Sequence, residues 1–168
     1  MATVDERFDW IGMHQHIVRC FYRIHAGWEE EHLEAAANAM TRWYWKNQQM
    51  AVLDRWRREG LQNICHVKRI SNLRPLLFVH LNQGQAHEGS TVTVAITARM
   101  KDYLQRRDTG KLVEGSRLTK KVETLWTFRI EDGQWRVSNI EEGSLSTAYA
   151  RMRKDLPKIE STIRKAPR

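Results

Sequence analysis

The sequence predicts an α+β fold in which N-terminal helices pack on an antiparallel sheet. Apolar residues recur every three or four positions up to Gly60, and after Gly60 they alternate with polar residues. Because the helices precede the strands, the pattern favours separate layers of helix and sheet rather than alternating β-α units with a parallel sheet. With 168 residues, the chain has the size of one domain.

Three helices are predicted before Gly60. Asp5 is expected to cap the first, whose apolar face consists of Trp10, Met13, Ile17, Phe21, Ile24 and Trp28. The acidic run 29–31 suits the positive N-terminal end of a second helix. Thr41 is expected to cap a third helix, and Gly60 is expected to end it.

Alternating apolar and polar residues predict four strands. They cover residues 77–81, 92–100, 122–130 and 135–140. The dipeptide Asp132-Gly133 separates the last two and is a strong hairpin signal. The segment Asp108-Thr109-Gly110 predicts a second turn, between the two long basic strands.

The net charge of +8 is unevenly distributed. Residues 99–121 hold eight basic residues against three acidic ones, and the last eighteen residues hold seven against two. Such stretches favour binding to a polyanion, either a phosphate backbone or anionic lipid headgroups. An ordinary solvated surface has the same composition. The candidate binding residues are Arg99, Lys101, Arg106, Arg107, Lys111, Arg117, Lys120, Lys121, Arg151, Arg153, Lys154 and Lys158.

Composition and local motifs argue against several classes of protein. A hydrophobic content of 41% with seven Trp disfavours disorder, and no apolar run reaches the length of a membrane span. Residues 1–10 are acidic where a signal peptide would be basic, so a soluble chain is expected. Cys20 and Cys65 are expected to be reduced, buried fillers, which points to an intracellular compartment.

Seven histidines do not assemble into an evident metal site. His14 and His16 lie on different sides of a helix, and no zinc-ligand or nucleotide-binding motif is present. We therefore expect no metal, no cofactor and no catalytic activity. If the chain were a small-molecule enzyme, the candidate catalytic residues would be His80, Asp102, Tyr103 and Glu123. The simpler interpretation is that these four are ordinary surface positions.

A set of aromatic residues is first interpreted as core. Some of its members could instead line an apolar pocket between helix and sheet, suited to an acyl chain or an apolar peptide segment. The candidates are Trp10, Phe21, Trp28, Trp126, Phe128 and Trp135.

Three segments carry a resemblance to a known family. The run MKDYL…DTGKLVEG…KKVETLWTFRIEDGQWRVSNI (Met100–Ile140), with FYRIHAGW (Phe21–Trp28) and RREGLQNI (Arg57–Ile64) upstream, resembles the domain family of mitochondrial import inner membrane translocase subunit 44. The resemblance spans residues 5–143 and leaves 144–168 as a basic C-terminal helix or tail. Relatives usually carry Ala at the position of Gly27, and the run Trp43-Tyr44-Trp45 is not a family feature.

The resemblance implies a nuclear transport factor 2-like cone, a curved antiparallel sheet wrapped around helices. It implies a non-enzymatic docking or adaptor domain in protein transport, associated with the cytoplasmic or matrix side of an inner membrane. The expected partners are anionic membrane lipids or a membrane-bound protein. Two alternatives stay open: an RNA- or ribosome-binding protein, as in the mitochondrial large-subunit relative, and a cone-fold enzyme or ligand-binding protein.

Overall fold

The first long helix is capped by Asp9 rather than by Asp5. The computed structural model describes residues 5–81 and 87–142, and in it α1 spans Trp10–Glu29. The Asp9 carboxylate accepts a hydrogen bond of 2.8 Å from the Gly12 amide, which satisfies a free N–H of the first helical turn. Asp5 instead caps the short 3₁₀ turn Glu6–Phe8, so the predicted cap was one turn too early.

The predicted second helix is a 3₁₀ segment, Leu33–Ala39. The chain reverses at Glu31, which has a φ of 53°, and returns along α1. Gly27 permits this close return, because a Cβ there would lie 3.2 Å from the Leu33 Cα. This contact gives a physical reason for glycine at a position where the resembling family carries alanine.

The third helical region begins and ends at the predicted residues. The Thr41 hydroxyl accepts a hydrogen bond of 3.3 Å from the Tyr44 amide. The region comprises α2 (Arg42–Tyr44), a π-helical turn (Trp45–Gln49) and α3 (Met50–Arg58). Gly60 follows with a φ of +68°, the left-handed conformation that ends many helices.

We expect Thr41→Val to lower the free energy of unfolding by about 1 kcal/mol, because valine keeps the shape of the side chain but cannot accept the Tyr44 N–H. Urea unfolding followed by circular dichroism measures this difference. Thr41→Ser should restore most of the loss, and an equally unstable serine variant would contradict the capping role.

Four antiparallel strands form one open sheet in the order of the sequence. They are β1 (Leu61–Val79), β2 (Thr91–Arg106), β3 (Leu112–Glu131) and β4 (Gln134–Glu142). The α+β prediction is therefore confirmed. β1 starts directly after Gly60, far earlier than predicted, because three irregularities in its pairing with β2 break the alternation that marks a strand in sequence.

Both predicted turns are present. Asp132 and Gly133 have φ values of 53° and 73°, as a two-residue type I′ hairpin between β3 and β4 requires. Between β2 and β3, the Gly110 amide donates a hydrogen bond of 2.8 Å to the Arg106 carbonyl. These turns fix which side chains of neighbouring strands face each other.

The main core lies between α1 and one face of the sheet. Its largest fully buried side chains include Phe21 of α1 and Trp126 and Phe128 of β3. Leu76, Ala95 and Leu125 form a smaller, separate buried cluster. Within residues 5–81 and 87–142, no helix has the length and apolar character of a transmembrane span.

Candidate anion-binding face and apolar cavity

Alternation along β2 places the charged side chains on the face of the sheet that α1 does not cover, here called the outer face. Val92, Val94, Ile96, Ala98 and Met100 belong to the main core, so the intervening Arg99 points the other way. Arg99 pairs directly with Arg69 of β1 and with Lys121 of β3. Directly paired residues share a face, so the three cations form one row across three strands.

Among the described residues, no anion is paired with this row. Arg69, Arg99 and Lys121 are all exposed, and none has an ion-pair partner among the described residues. Like charges directly opposite each other on a sheet are destabilising. A row of three is therefore better suited to binding an external anion than to stabilising the sheet.

A second pair of like charges lies further along the same face. Arg129 of β3 pairs directly with Arg136 of β4 and, on its other side, with Thr91 of β2. Between the two basic groups, Glu123 lies 3.8 Å from Arg74 and accepts a hydrogen bond from Thr97. The outer face thus combines basic residues from all four strands.

Sequence reasoning missed part of this surface. It grouped cations that are close along the chain, whereas strand register joins Arg69 with Arg99 and Arg129 with Arg136. The Asp132-Gly133 hairpin between the last two strands fixes their register, so the sequence held a signal that could have identified the second pair.

The predicted basic residues of 99–121 do not form one continuous surface. Lys120 pairs with Met100 and so lies on the opposite face from Lys121. Lys101 follows Arg99 on the outer face, while Arg106 and Lys111 flank the turn between β2 and β3. The remaining tail candidates, Arg151, Arg153, Lys154 and Lys158, lie outside the described residues, as does the predicted unit 144–168.

Two predicted binding residues are engaged within the protein. The Arg107 guanidinium forms an ion pair with Glu31 and donates a hydrogen bond of 3.3 Å to the Leu61 carbonyl. This pair lowers the pKa of Glu31 and raises that of Arg107. Arg117 bonds the Gly110 carbonyl and lies 5.8 Å above the Tyr103 ring. Arg107 therefore joins the helical layer to the sheet and is engaged in contacts within the protein.

An apolar cavity of about 470 Å³ opens where the N-terminal turn meets the ends of β1 and β2. Phe8 lines it and makes edge-to-face contacts to four rings at centroid distances of 5.2–5.9 Å. This volume is within the range of small-molecule sites. The lining residues are Asp5, Phe8, Trp10, Met13, Pro75, Phe78, His80, His87 and Val92.

One side of this cavity carries a pair of histidines. His80 Nε2 lies 3.0 Å from His87 Nδ1, so one ring donates a hydrogen bond to the other. His87 Nε2 lies 3.7 Å from an Asp5 carboxylate oxygen. Hydrogen bonds from Arg7 hold the pKa of Asp5 down at about 2, which keeps this carboxylate ionised. The cavity thus combines apolar walls with a localised polar edge.

The six predicted pocket aromatics have different locations. Trp10 lines the cavity, whereas the other five are not among its lining residues. Phe21, Trp126 and Phe128 are fully buried, and Trp135 is nearly so, as the core interpretation expected. Trp28 packs against the core and contacts Trp56 at a centroid distance of 5.1 Å.

The possible catalytic residues are not brought together. His80 follows Val79, which pairs with Thr91 at the start of β2, whereas Asp102 and Tyr103 lie near its other end. Glu123 is between them and is engaged with Arg74. No cluster of three or more potential metal ligands occurs within residues 5–81 and 87–142.

α1 carries two cysteine–histidine contacts, one that joins it to β1 and one between residues a turn apart within the helix. The Cys65 sulfur lies 3.0 Å from His25 Nδ1, and the Cys20 sulfur lies 3.4 Å from His16 Nε2. Burial raises the pKa of both thiols, that of Cys20 to about 11, and lowers the pKa of His25 to about 4. Neutral thiols are poor nucleophiles, so these pairs are packing contacts rather than catalytic dyads.

Comparison with protein-family models and with curated proteins gave no match. Among solved structures, the chain is similar to the intermembrane space region of chloroplast protein ARC6. The two are 7% identical, with a TM-score of 0.53, and the match covers 81% of this chain and 97% of that chain. At this identity the similarity concerns the fold alone, and it agrees with helices packed on an open antiparallel sheet.

Proposed function

We propose that this chain is a non-enzymatic docking domain with a nuclear transport factor 2-like cone, related to the domain of translocase subunit 44, that binds an anionic membrane surface. The observation that carries the proposal is the unpaired row Arg69–Arg99–Lys121 on the outer face of the sheet. In this role the domain works as an adaptor in protein transport, on the cytoplasmic or matrix side of an inner membrane.

The physical basis is the field of several cations on one rigid face. A basic residue close to an anionic bilayer contributes about 1 kcal/mol of attraction, which salt screens. Three sheet-held residues therefore contribute about 3 kcal/mol, and Arg129 with Arg136 adds to the same side of the sheet. Because the strands hold these side chains in register, binding needs little reorganisation of the protein.

The apolar cavity supplies a second contact in this proposal. Phe78 at its rim is 44% exposed and Trp10 is 38% exposed, and both lie beside apolar walls. An apolar segment of a membrane-bound partner, or a lipid acyl chain, suits these walls. The partner is thus a membrane lipid or a membrane-bound protein with an apolar anchor.

Co-sedimentation with phosphatidylglycerol vesicles tests the proposal. We expect the chain to bind these vesicles and not neutral phosphatidylcholine vesicles. Combined reversal of Arg69, Arg99 and Lys121 to Glu should weaken binding at least about a hundredfold, because three attractions become repulsions.

A matched control reverses three exposed basic residues of the helical layer, Arg19, Lys46 and Arg55. It changes the net charge by the same amount and should retain most of the binding. An equal loss in both variants would mean that binding depends on net charge and not on the row Arg69–Arg99–Lys121. Equal binding to neutral vesicles would overturn the proposal.

RNA binding is the alternative from another class. Single-stranded RNA recognition relies on exposed aromatics beside basic residues. Tyr103 is the one aromatic residue of 99–121, and the Arg117 guanidinium lies 5.8 Å above its ring, so this basic segment offers little surface for base stacking. Absence of vesicle binding, combined with tight binding to structured RNA at physiological salt, would favour the ribosomal alternative.

A further inference from the structure

We propose that Arg129 and Arg136, directly opposite each other on β3 and β4 beside a cavity walled by Trp43, bind a phosphate monoester that carries a flat apolar group. This inference deepens the proposed function, because it places a specific phosphate site on the same outer face. It also concerns a motif that the family resemblance leaves unexplained, the run Trp43-Tyr44-Trp45.

The cavity lies between the start of α2 and the hairpin end of the sheet. Its volume is about 550 Å³, and its lining includes Thr41, Thr91, Ser138, Trp43, Arg129, Glu88 and Glu131. Hydroxyls, one guanidinium and two carboxylates beside an indole form a site with both polar and apolar contacts. Such a combination suits an organic anion better than a purely apolar ligand.

Arg129 is positioned by the backbone beneath it. A Cβ at Gly89 would lie 3.4 Å from Arg129 Nη2, and the Gly89 φ of +81° also favours glycine. The close packing of this guanidinium over Gly89 limits the positions it can take, so less freedom is lost when an anion binds.

Arg136 has an unused hydrogen-bond donor. Its Nε is buried and has no hydrogen-bond partner among the described residues. The side chains of Arg129 and Arg136 form no ion pair there either, although the two residues are directly paired across β3 and β4. Arg129 lines the cavity, and Arg136 lies beside it on the next strand. A dianionic phosphate bound by both guanidinium groups would satisfy their donors and offset the repulsion between the like charges.

The two carboxylates that line the cavity, those of Glu88 and Glu131, accept backbone hydrogen bonds. Glu88 accepts hydrogen bonds from the amides of Asp132 and Gly133, at 3.1 and 2.6 Å. Glu131 accepts a hydrogen bond of 3.1 Å from the Arg42 amide. Glu88 is thus held at the hairpin and Glu131 at the start of α2, and neither forms an ion pair with Arg129 or Arg136 within residues 5–81 and 87–142. Among these residues, no carboxylate competes with an external anion for the two arginines.

Trp43 defines the organic part of the ligand. Its side chain is 61% exposed although its neighbour Tyr44 is buried, so it is not held in the core. An exposed indole on the wall of a cavity offers a flat surface for an aromatic ring. The phosphate monoester is thus expected to carry a planar group on the side of Trp43.

Calorimetric titration of the full chain with phenyl phosphate tests the site. We expect saturable binding with one ligand per chain. Arg129→Gln and Arg136→Gln should each weaken binding at least about tenfold, because each removes a charge-assisted hydrogen bond. Arg55→Gln removes the same charge from an exposed position of the helical layer and should change the affinity less than twofold. An equal loss in Arg55→Gln, or no saturable binding, would overturn the proposal.

A second pair of titrations examines the role of Trp43. Trp43→Ala should weaken phenyl phosphate binding and leave inorganic phosphate binding unchanged. If both ligands bind Trp43→Ala as they bind the wild type, the assignment of a flat organic group is wrong. Circular dichroism of every variant establishes that the fold is retained.

The source of the phosphate is distinguished with vesicles. Phosphatidic acid presents a phosphate monoester and phosphatidylglycerol a phosphodiester. If the site serves a lipid headgroup, Arg129→Gln should reduce binding to phosphatidic acid vesicles more than to phosphatidylglycerol vesicles. If Arg129→Gln affects binding to both kinds of vesicle equally, while the wild type binds phenyl phosphate, the site serves a soluble phosphate ester. Phenyl phosphate binding without any vesicle binding would reject membrane docking and leave this inference standing.

Discussion

Trp126→Ala is expected to lower the free energy of unfolding by about 3–5 kcal/mol. Trp126 is fully buried between the sheet and α1, and its ring centroid lies 5.0 Å from that of Phe21. Its indole N–H donates a hydrogen bond of 2.9 Å to the Thr124 hydroxyl. Alanine removes the apolar contacts, leaves a cavity and deprives that hydroxyl of its donor. Such a loss is a large part of the total stability of an ordinary domain.

Urea unfolding followed by far-ultraviolet circular dichroism measures this effect without relying on tryptophan fluorescence. Trp43→Ala is the matched control, because it deletes the same side chain at a position that is 61% exposed. Its unfolding free energy should stay within about 0.5 kcal/mol of the wild type. Comparable losses in the two variants would contradict the assignment of Trp126 to the core.

The free energy of unfolding is expected to fall as the pH is lowered from about 6.5 to about 4, because of His25. The centroid of the His25 ring lies 4.4 Å from that of Phe21. The Nε2 atom of His25 is buried and has no hydrogen-bond partner among the described residues. Burial lowers its pKa from 6.5 to about 4. In this pH range the unfolded chain binds a proton at His25 and the folded chain does not, so acid favours unfolding.

The full pKa shift corresponds to about 3 kcal/mol of stability. The folded chain keeps this stability above about pH 6.5 and loses it progressively as the pH falls to about 4. His25→Leu should remove that part of the pH dependence, which urea unfolding at a series of pH values measures. His16, whose pKa burial also lowers, keeps a smaller dependence in the variant. Gln15→Leu, at an exposed position of α1, introduces the same side chain without removing a titratable group and should keep the pH dependence of the wild type. Parallel curves for wild type and His25→Leu would be inconsistent with this role of His25.

The sequence by itself determined the class of fold and the positions of a helix cap and the tight turns. Helical spacing up to Gly60, the Thr41 cap and the Asp132-Gly133 hairpin depend on neighbouring residues only, and each is present in the structure. Local interactions of this kind are written in short stretches of sequence. The start of β1 was missed for the same reason, since its irregular pairing with β2 interrupts the local pattern.

Only the tertiary structure decided which charges act together. Arg69 and Arg99 are thirty residues apart and become neighbours through the register of β1 and β2, while the adjacent Lys120 and Lys121 point to opposite faces. Arg107 was predicted to bind a polyanion, but it lies beside Glu31. Side chains reverse face at each strand residue, and pairing joins distant segments, so proximity along the chain does not determine proximity on a surface.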